Sequence, residues 1–328
     1  MDKLSDLLEK RCAVLDGAMG TMIQNYQLSE EDFRADRFAH WSHPLKGVND
    51  ILSLTKPEII SEIHRGYLEA GADIITTNTF NSSSVTLSEY GLADLSYEIN
   101  FASAKLAKSV AEQSGKECWV AGSIGPTSHA LTIEPFMVLD PTTALTYDEL
   151  RDSYTRQMEG LLDGGVDLIL VETAIDILNV QAAVEALETL CTKRGANTPL
   201  MVSLTVDNIS GRTISGHSPL EIYDEIKSSK LLFSMGLNCG FGAEVMLPYL
   251  EELANGCDVK ISAYPNAGLP DGSGHYNQTP EMMLEALSGV LDKNTIDIVG
   301  GCCGTTYDHI ALIAKKINAE FNLQMQLN

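Results

Sequence analysis

The chain has 328 residues, enough to bury a full core as one large domain or two ordinary ones. Its 45 Asp and Glu against 22 Lys and Arg leave a formal charge of −23, which opposes nucleic acid, a partner whose phosphates must be neutralised. No run of about 18 apolar residues offers a membrane span, and the charged start from Met1 to Arg11, expected as an N-terminal helix, lacks a signal peptide's apolar stretch. Seven cysteines, an odd number without a paired framework, suit a reducing compartment, so the cytoplasm is the expected location.

Along the chain, short runs rich in Val, Ile and Leu alternate with segments of helical spacing. The first run is Ala13-Val14-Leu15. A helix then opens at Lys56-Pro57-Glu58, repeats Ile59, Ile60, Ile63 and Tyr67 at helical intervals and stops at Gly71; proline in a first turn and glycine past a last one are its punctuation. The second run, Asp73-Ile74-Ile75, precedes a helix over 96–113, and the third, Trp119-Val120-Ala121, one over 148–162. Asp167–Val171, Leu200–Leu204, Phe233–Leu237, Val259–Ala263 and Ile296–Val299 follow, each with its own helix: 175–193, 219–228, 243–253, 280–291 and 307–319.

Eight such pairs predict parallel strands in one (β/α)8 TIM barrel spanning residues 1–328. A doubly wound open sheet shares the alternation. The barrel is favoured by the chain length and by the polar residues, which fall at the C-terminal ends of the proposed strands and would converge on one mouth. Two stretches stand outside the pattern: the acidic inserted loop Gln24–Asp50 with Trp41 and His43, and Ala130–Thr146. Connections of that length are usually lids, binding loops or local excursions.

Two strand ends carry thiols. Gly300-Gly301-Cys302-Cys303-Gly304-Thr305-Thr306 frames a vicinal pair, a poor disulfide, and Gly236-Leu237-Asn238-Cys239-Gly240 supplies a third. Three thiolates leave one position of a zinc tetrahedron for an exchangeable ligand, as catalytic zinc requires. The same glycines, with Thr305 and Thr306, could instead cradle a phosphate. Cys12, Cys118, Cys191 and Cys257 are isolated and read as packing residues.

After the first strand, Asp16-Gly17-Ala18-Met19-Gly20-Thr21 lets backbone N–H groups approach an anion while Asp16 meets an ammonium, unless it is an ordinary glycine turn. Glu172 ends an apolar strand and is expected to face a ligand at the mouth rather than a partner in the core. The seven histidines show no metal-ligand spacing, and no zinc-protease, phosphate-loop or serine-nucleophile motif occurs.

Together, Leu15–Thr21, Thr77-Asn78-Thr79-Phe80, Val171-Glu172-Thr173, Leu237-Asn238-Cys239, Pro265-Asn266-Ala267-Gly268 and Gly300–Thr306 resemble the homocysteine S-methyltransferase family over nearly the whole chain. Glu31-Asp32-Phe33-Arg34 and Lys46-Gly47-Val48-Asn49-Asp50 are most similar to the N-terminal homocysteine module of cobalamin-dependent methionine synthase. The resemblance implies zinc on Cys239, Cys302 and Cys303, with the homocysteine sulfur as fourth ligand and Asn266 in its place when substrate is absent. It also implies that amides of Gly17, Ala18, Met19 and Gly20 hold the carboxylate, with Asp16 and Glu172 near the amino group. Zinc would lower the thiol's pKa so that a thiolate attacks the methyl group and methionine forms. The chain ends soon after its last helix and has no Asp-x-His-x-x-Gly cobalamin motif, so methylcobalamin is expected on another module or protein. S-methylmethionine or a betaine is the alternative donor, and a non-catalytic homocysteine and zinc binder the alternative to an enzyme.

Overall fold

A computed structural model describes residues 2–133, 144–272, 274–293 and 295–327, so positions 134–143 of the stretch Ala130–Thr146 lie outside the described residues. Each of the eight apolar runs is a strand: β1 Ala13–Val14, β2 Ile74–Thr76, β3 Trp119–Ile124, β4 Leu168–Ala174, β5 Leu200–Leu204, β6 Leu232–Asn238, β7 Lys260–Tyr264 and β8 Ile298–Val299. All pair in parallel, in the order β1-β8-β7-β6-β5-β4-β3-β2.

What separates barrel from open sheet is the seam between β1 and β2. There Leu15 bridges Ile74 in parallel, the Asp16 N–H donates to Ile74 O (2.9 Å) and the Asp73 N–H to Val14 O (2.7 Å). The ring is therefore closed, as the sequence predicts.

The period-two rule divides the strand residues between two cores. Val14, Ile75, Val120, Ile169 and Val202 pack outward against the helices. Leu15, Ile74, Ala121, Leu168, Leu170, Met201 and Ile298 fill the barrel, joined by Leu4 and Leu8 from the helix Asp2–Leu8. That helix is the expected N-terminal one, and its two buried leucines, worth about 1.5–3 kcal/mol each, tie it to the strand side chains inside the barrel. The helices Ser96–Gln113 and Tyr147–Gly164 approach closely because Gly160 and Gly164 lack side chains; a Cβ there would stand 2.5 Å from Tyr97 O and 2.3 Å from Ala104 Cβ.

At the N-terminal ends of the strands an aspartate recurs as a clamp. Asp73, Asp167 and Asp297 accept the N–H groups of Val14, Val120 and Ile261 on the neighbouring strand, at 2.7–2.8 Å. Arg11, Lys108 and Lys260 respectively pair with them. These contacts hold the end of the barrel opposite the cysteines.

The inserted segment Gln24–Asp50 is more ordered than a plain loop. Ser29 and Asp32 form a capping box for the short helix Glu30–Arg34. The Glu30 carboxylate then accepts from the N–H groups of Leu45 and Lys46, while Arg34 donates to the carbonyls of Trp41 and His43. The fold-back ends in a 3-10 turn, Asn49–Ile51. Among the described residues no helix is long and apolar enough to cross a membrane.

Candidate metal and substrate site

The cysteines are presented by two strand ends. Cys239 follows β6 with φ 56°, and Thr173 on β4 has φ 54°; both lie in the left-handed region that non-glycine residues seldom adopt, a strain that tends to mark functional sites. Asn238 stabilises both. Its Oδ1 accepts from Thr173 N–H (2.9 Å) and Ser203 Oγ (2.7 Å), and its Nδ2 donates to Thr173 Oγ1 (2.8 Å). Beyond β8, the Cys302 N–H donates to Pro265 O (2.8 Å) and the Ala267 N–H to Cys303 O (2.9 Å), and Thr305 Oγ1 donates to Cys302 O (2.7 Å).

The three sulfurs lie within 4.8 Å of one another, with Cys239 Sγ 3.9 Å from Cys303 Sγ. Zinc–sulfur bonds of about 2.3 Å in a tetrahedron put sulfurs about 3.8 Å apart, so the donor set fits zinc. Thiol hydrogen bonds from Cys239 and Cys302 hold the Cys303 sulfur down to about 3, and the same neighbours together with burial push Cys302 well up. The crowded sulfurs thus compete for protons, and a cation among them would favour the thiolates.

These sulfurs open into a cavity of about 460 Å³ lined, among the described residues, by Asp16, Asp50 and Glu172 but by no Lys, Arg or His. Glu172 is pushed up to about 7 by burial, with Ser123 pulling it down and Cys303 pushing it up. Ser123 Oγ donates to Glu172 Oε1, and no cation pairs with the carboxylate among the described residues. Asp16 is buried, which holds its carboxyl well above the usual range. Its oxygens accept from Thr76 N–H (2.7 Å) and Thr76 Oγ1 (3.1 Å), so this expected ammonium partner already binds β2.

Gly17 is required by space, since a Cβ would stand 2.8 Å from both Thr305 Oγ1 and the Tyr67 ring. The Ala18 N–H donates to Thr305 Oγ1 (3.1 Å), which removes one of the four expected anion-binding amides. Met19 begins the helix Met19–Gln24, whose start has no side-chain cap. Asn266 is buried and its Oδ1 has no hydrogen-bond partner among the described residues, but it does not line the cavity. A Cβ on Gly300 would stand 2.8 Å from Asp16 O and one on Gly301 2.5 Å from Thr305 Oγ1. Those glycines serve close packing, and an acidic cavity without a basic group does not suit a phosphate.

Sequence reasoning missed Asp50 and Tyr276 as cavity residues. Asp50 is buried, accepts from Asn81 N–H (2.8 Å) and is pushed up to about 6 by burial. Tyr276 packs over Gly304, where a Cβ would stand 2.3 Å from its Cβ, in a turn bridged from Pro270 to Tyr276. Neither sits on a periodic element. For Asp50 the available signal is its place at the end of the motif Lys46-Gly47-Val48-Asn49-Asp50.

The model of the homocysteine S-methyltransferase family matches residues 13–317. The chain belongs to that family. Among solved structures, the homocysteine S-methyltransferase fold recurs in the homocysteine methyltransferase MmuM from Escherichia coli. Its oxidised form aligns with a TM-score of 0.74 at 21% identity, over 95% of this chain and 99% of that one. The metallated form gives 0.72 at 22% over the same shares, and the apo form 0.64 at 21% over 94% and 97%. At such identity the likeness speaks for the fold alone.

Proposed function

We propose that the chain transfers a methyl group to the thiol of homocysteine, giving methionine, with zinc on Cys239, Cys302 and Cys303 and methylcobalamin carried by a partner module. The observation that supports this most is the cluster of three sulfurs at a cavity that also presents the Glu172 carboxylate, bonded to Ser123 but to no cation among the described residues. When bound, zinc supplies a positive charge that lowers the substrate thiol's pKa.

The chain's own residues do the rest. Glu172 holds the ammonium, with Asp16 setting the end of β2 beside it. The amides of Gly17, Met19 and Gly20 receive the carboxylate. The buried, unpaired Oδ1 of Asn266 is a suitable fourth donor in the absence of substrate. Seven free thiols support a cytoplasmic location.

One observation favours a second reading, a small onium donor such as S-methylmethionine or a betaine. Among the described residues the cavity holds three carboxylates and no base, and Asp50 shares it with the exposed ring of Phe80, a combination suited to a cation. A donor panel separates the readings: zinc-loaded protein and homocysteine are incubated with methylcobalamin, S-methylmethionine or betaine, and methionine is quantified. Methionine from methylcobalamin is the expected result. Product from an onium donor alone would favour the second reading, and homocysteine binding without product from any donor would leave a non-catalytic module.

A further inference from the structure

Tyr264 ends β7 on the inner face of the barrel, 2% exposed, and it lines the cavity. Its hydroxyl has no hydrogen-bond partner among the described residues. Buried hydroxyls are almost always paired, so an exception needs a reason. Ser262 on β7 and Ser234 on β6 are also unpaired, but neither lines the cavity, and ordered water can serve them. Ser203 Oγ comes near the phenol but not within hydrogen-bond geometry, and it spends its own hydrogen on Asn238 Oδ1 (2.7 Å).

The position of the ring is fixed. Tyr264 pairs with Asn238 in the sheet, its carbonyl accepts from Cys239 N–H (3.3 Å), and its side chain packs with Leu15, Leu170 and Met201 inside the barrel. A phenol both donates and accepts. Glu172 has given one oxygen to Ser123, and Asp16 has given both of its own to Thr76. An ammonium brings three N–H donors, more than Glu172 alone can satisfy.

We propose that the Tyr264 hydroxyl is a further substrate-binding group, accepting a hydrogen bond from the ammonium of the bound amino acid beside Glu172. This rests on the reading of the cavity as a homocysteine site. Ligand binding thus pairs a group that the protein leaves unpaired. The pair would select an amino-acid thiol over a thiol acid that lacks nitrogen.

The test is calorimetry of zinc-loaded wild type and Tyr264→Phe with homocysteine and with 4-mercaptobutanoate, the same molecule without its amino group. Tyr264→Phe should bind homocysteine about tenfold more weakly, a loss of about 1.4 kcal/mol, and 4-mercaptobutanoate within twofold of wild type. Zinc content should be unchanged and thermal stability not lowered, since no protein hydrogen bond is lost. Equal loss for both ligands would overturn the proposal in favour of a structural role, and no loss for either would assign the hydroxyl to a water. A wild type that fails to prefer homocysteine would sink the ammonium reading of the whole cavity, a distinct outcome. If the variant does not fold, a structure of the wild-type complex decides: an amino nitrogen beyond hydrogen-bond reach of the Tyr264 hydroxyl, about 3.2 Å, refutes it.

Discussion

Asn238 on β6 and Thr173 on β4 are joined by two hydrogen bonds that pass over β5: Thr173 N–H to Asn238 Oδ1 (2.9 Å) and Asn238 Nδ2 to Thr173 Oγ1 (2.8 Å). The pair fixes two backbones in left-handed conformations, Thr173 itself and Cys239 next to Asn238. Glu172 and Cys239, one on each side of the clamp, therefore face one cavity. Asn238→Ala would remove four bonds, including that from Ser203 and a long one to Cys302 Sγ (3.9 Å), at about 1 kcal/mol each or less. Zinc affinity, measured by competition with a chelator, should fall at least tenfold in a folded protein. Unchanged affinity would show that the clamp does not present Cys239.

The three clustered cysteines should behave as a set and the others should not. Cys239→Ala, Cys302→Ala and Cys303→Ala should each lose most bound zinc and all methyl transfer, because two thiolates leave the tetrahedron half built. Cys191→Ala, in the helix Ile177–Arg194 and packed in the outer core, should keep both. Metal analysis of the purified variants checks this, and a full zinc equivalent in all four would refute the site.

Much of this was legible in the sequence because it depends on local chemistry. Short apolar runs mark all eight strands, and Gly-Gly-Cys-Cys-Gly and Gly-Leu-Asn-Cys-Gly mark the two ends that hold the sulfurs. The state of the carboxylates was not legible. Asp16 and Glu172 look alike in the chain, yet Thr76 occupies the first and Ser123 only half of the second. Whether an acid is free depends on which strand lies beside it. The aspartate clamps escaped for the same reason: Gly-Ala-Asp-Ile-Ile, Gly-Val-Asp-Leu-Ile and Thr-Ile-Asp-Ile-Val repeat visibly, but their partners are backbone groups of the preceding strand. Asp50 entered the cavity through the fold-back of an aperiodic insertion.

Glu172→Gln should weaken homocysteine binding while leaving zinc in place, because it removes the charge facing the ammonium and not a metal donor. A charge-assisted hydrogen bond is worth about 1.5–3 kcal/mol, roughly ten- to a hundredfold in affinity. Titration calorimetry on the zinc-loaded protein reads it. Equal affinity in the variant would move the ammonium away from β4.

The last prediction concerns stability against pH, where two buried groups act with opposite sign. His64, in the helix Pro57–Ala70, is fully buried with neither ring nitrogen paired among the described residues, and burial lowers its pKa to about 4. As pH falls below about 6.5 the unfolded chain takes up a proton that the folded one refuses, so His64 costs stability down to about pH 4. Asp50 is raised to about 6 by burial. Between about 6 and 4 the folded chain holds a proton that the unfolded one has lost, so Asp50 adds stability as pH falls. Each slope is about 1.4 kcal/mol per pH unit, and between about pH 4 and 6 they cancel. His64→Leu should therefore gain stability over wild type on acidification through that window, and Asp50→Asn, whose side-chain oxygen can still accept from Asn81, should lose it. Urea unfolding at half-unit steps from pH 4 to 7 measures both differences. Variant curves running parallel to wild type across the window would mean that neither group titrates as its burial demands.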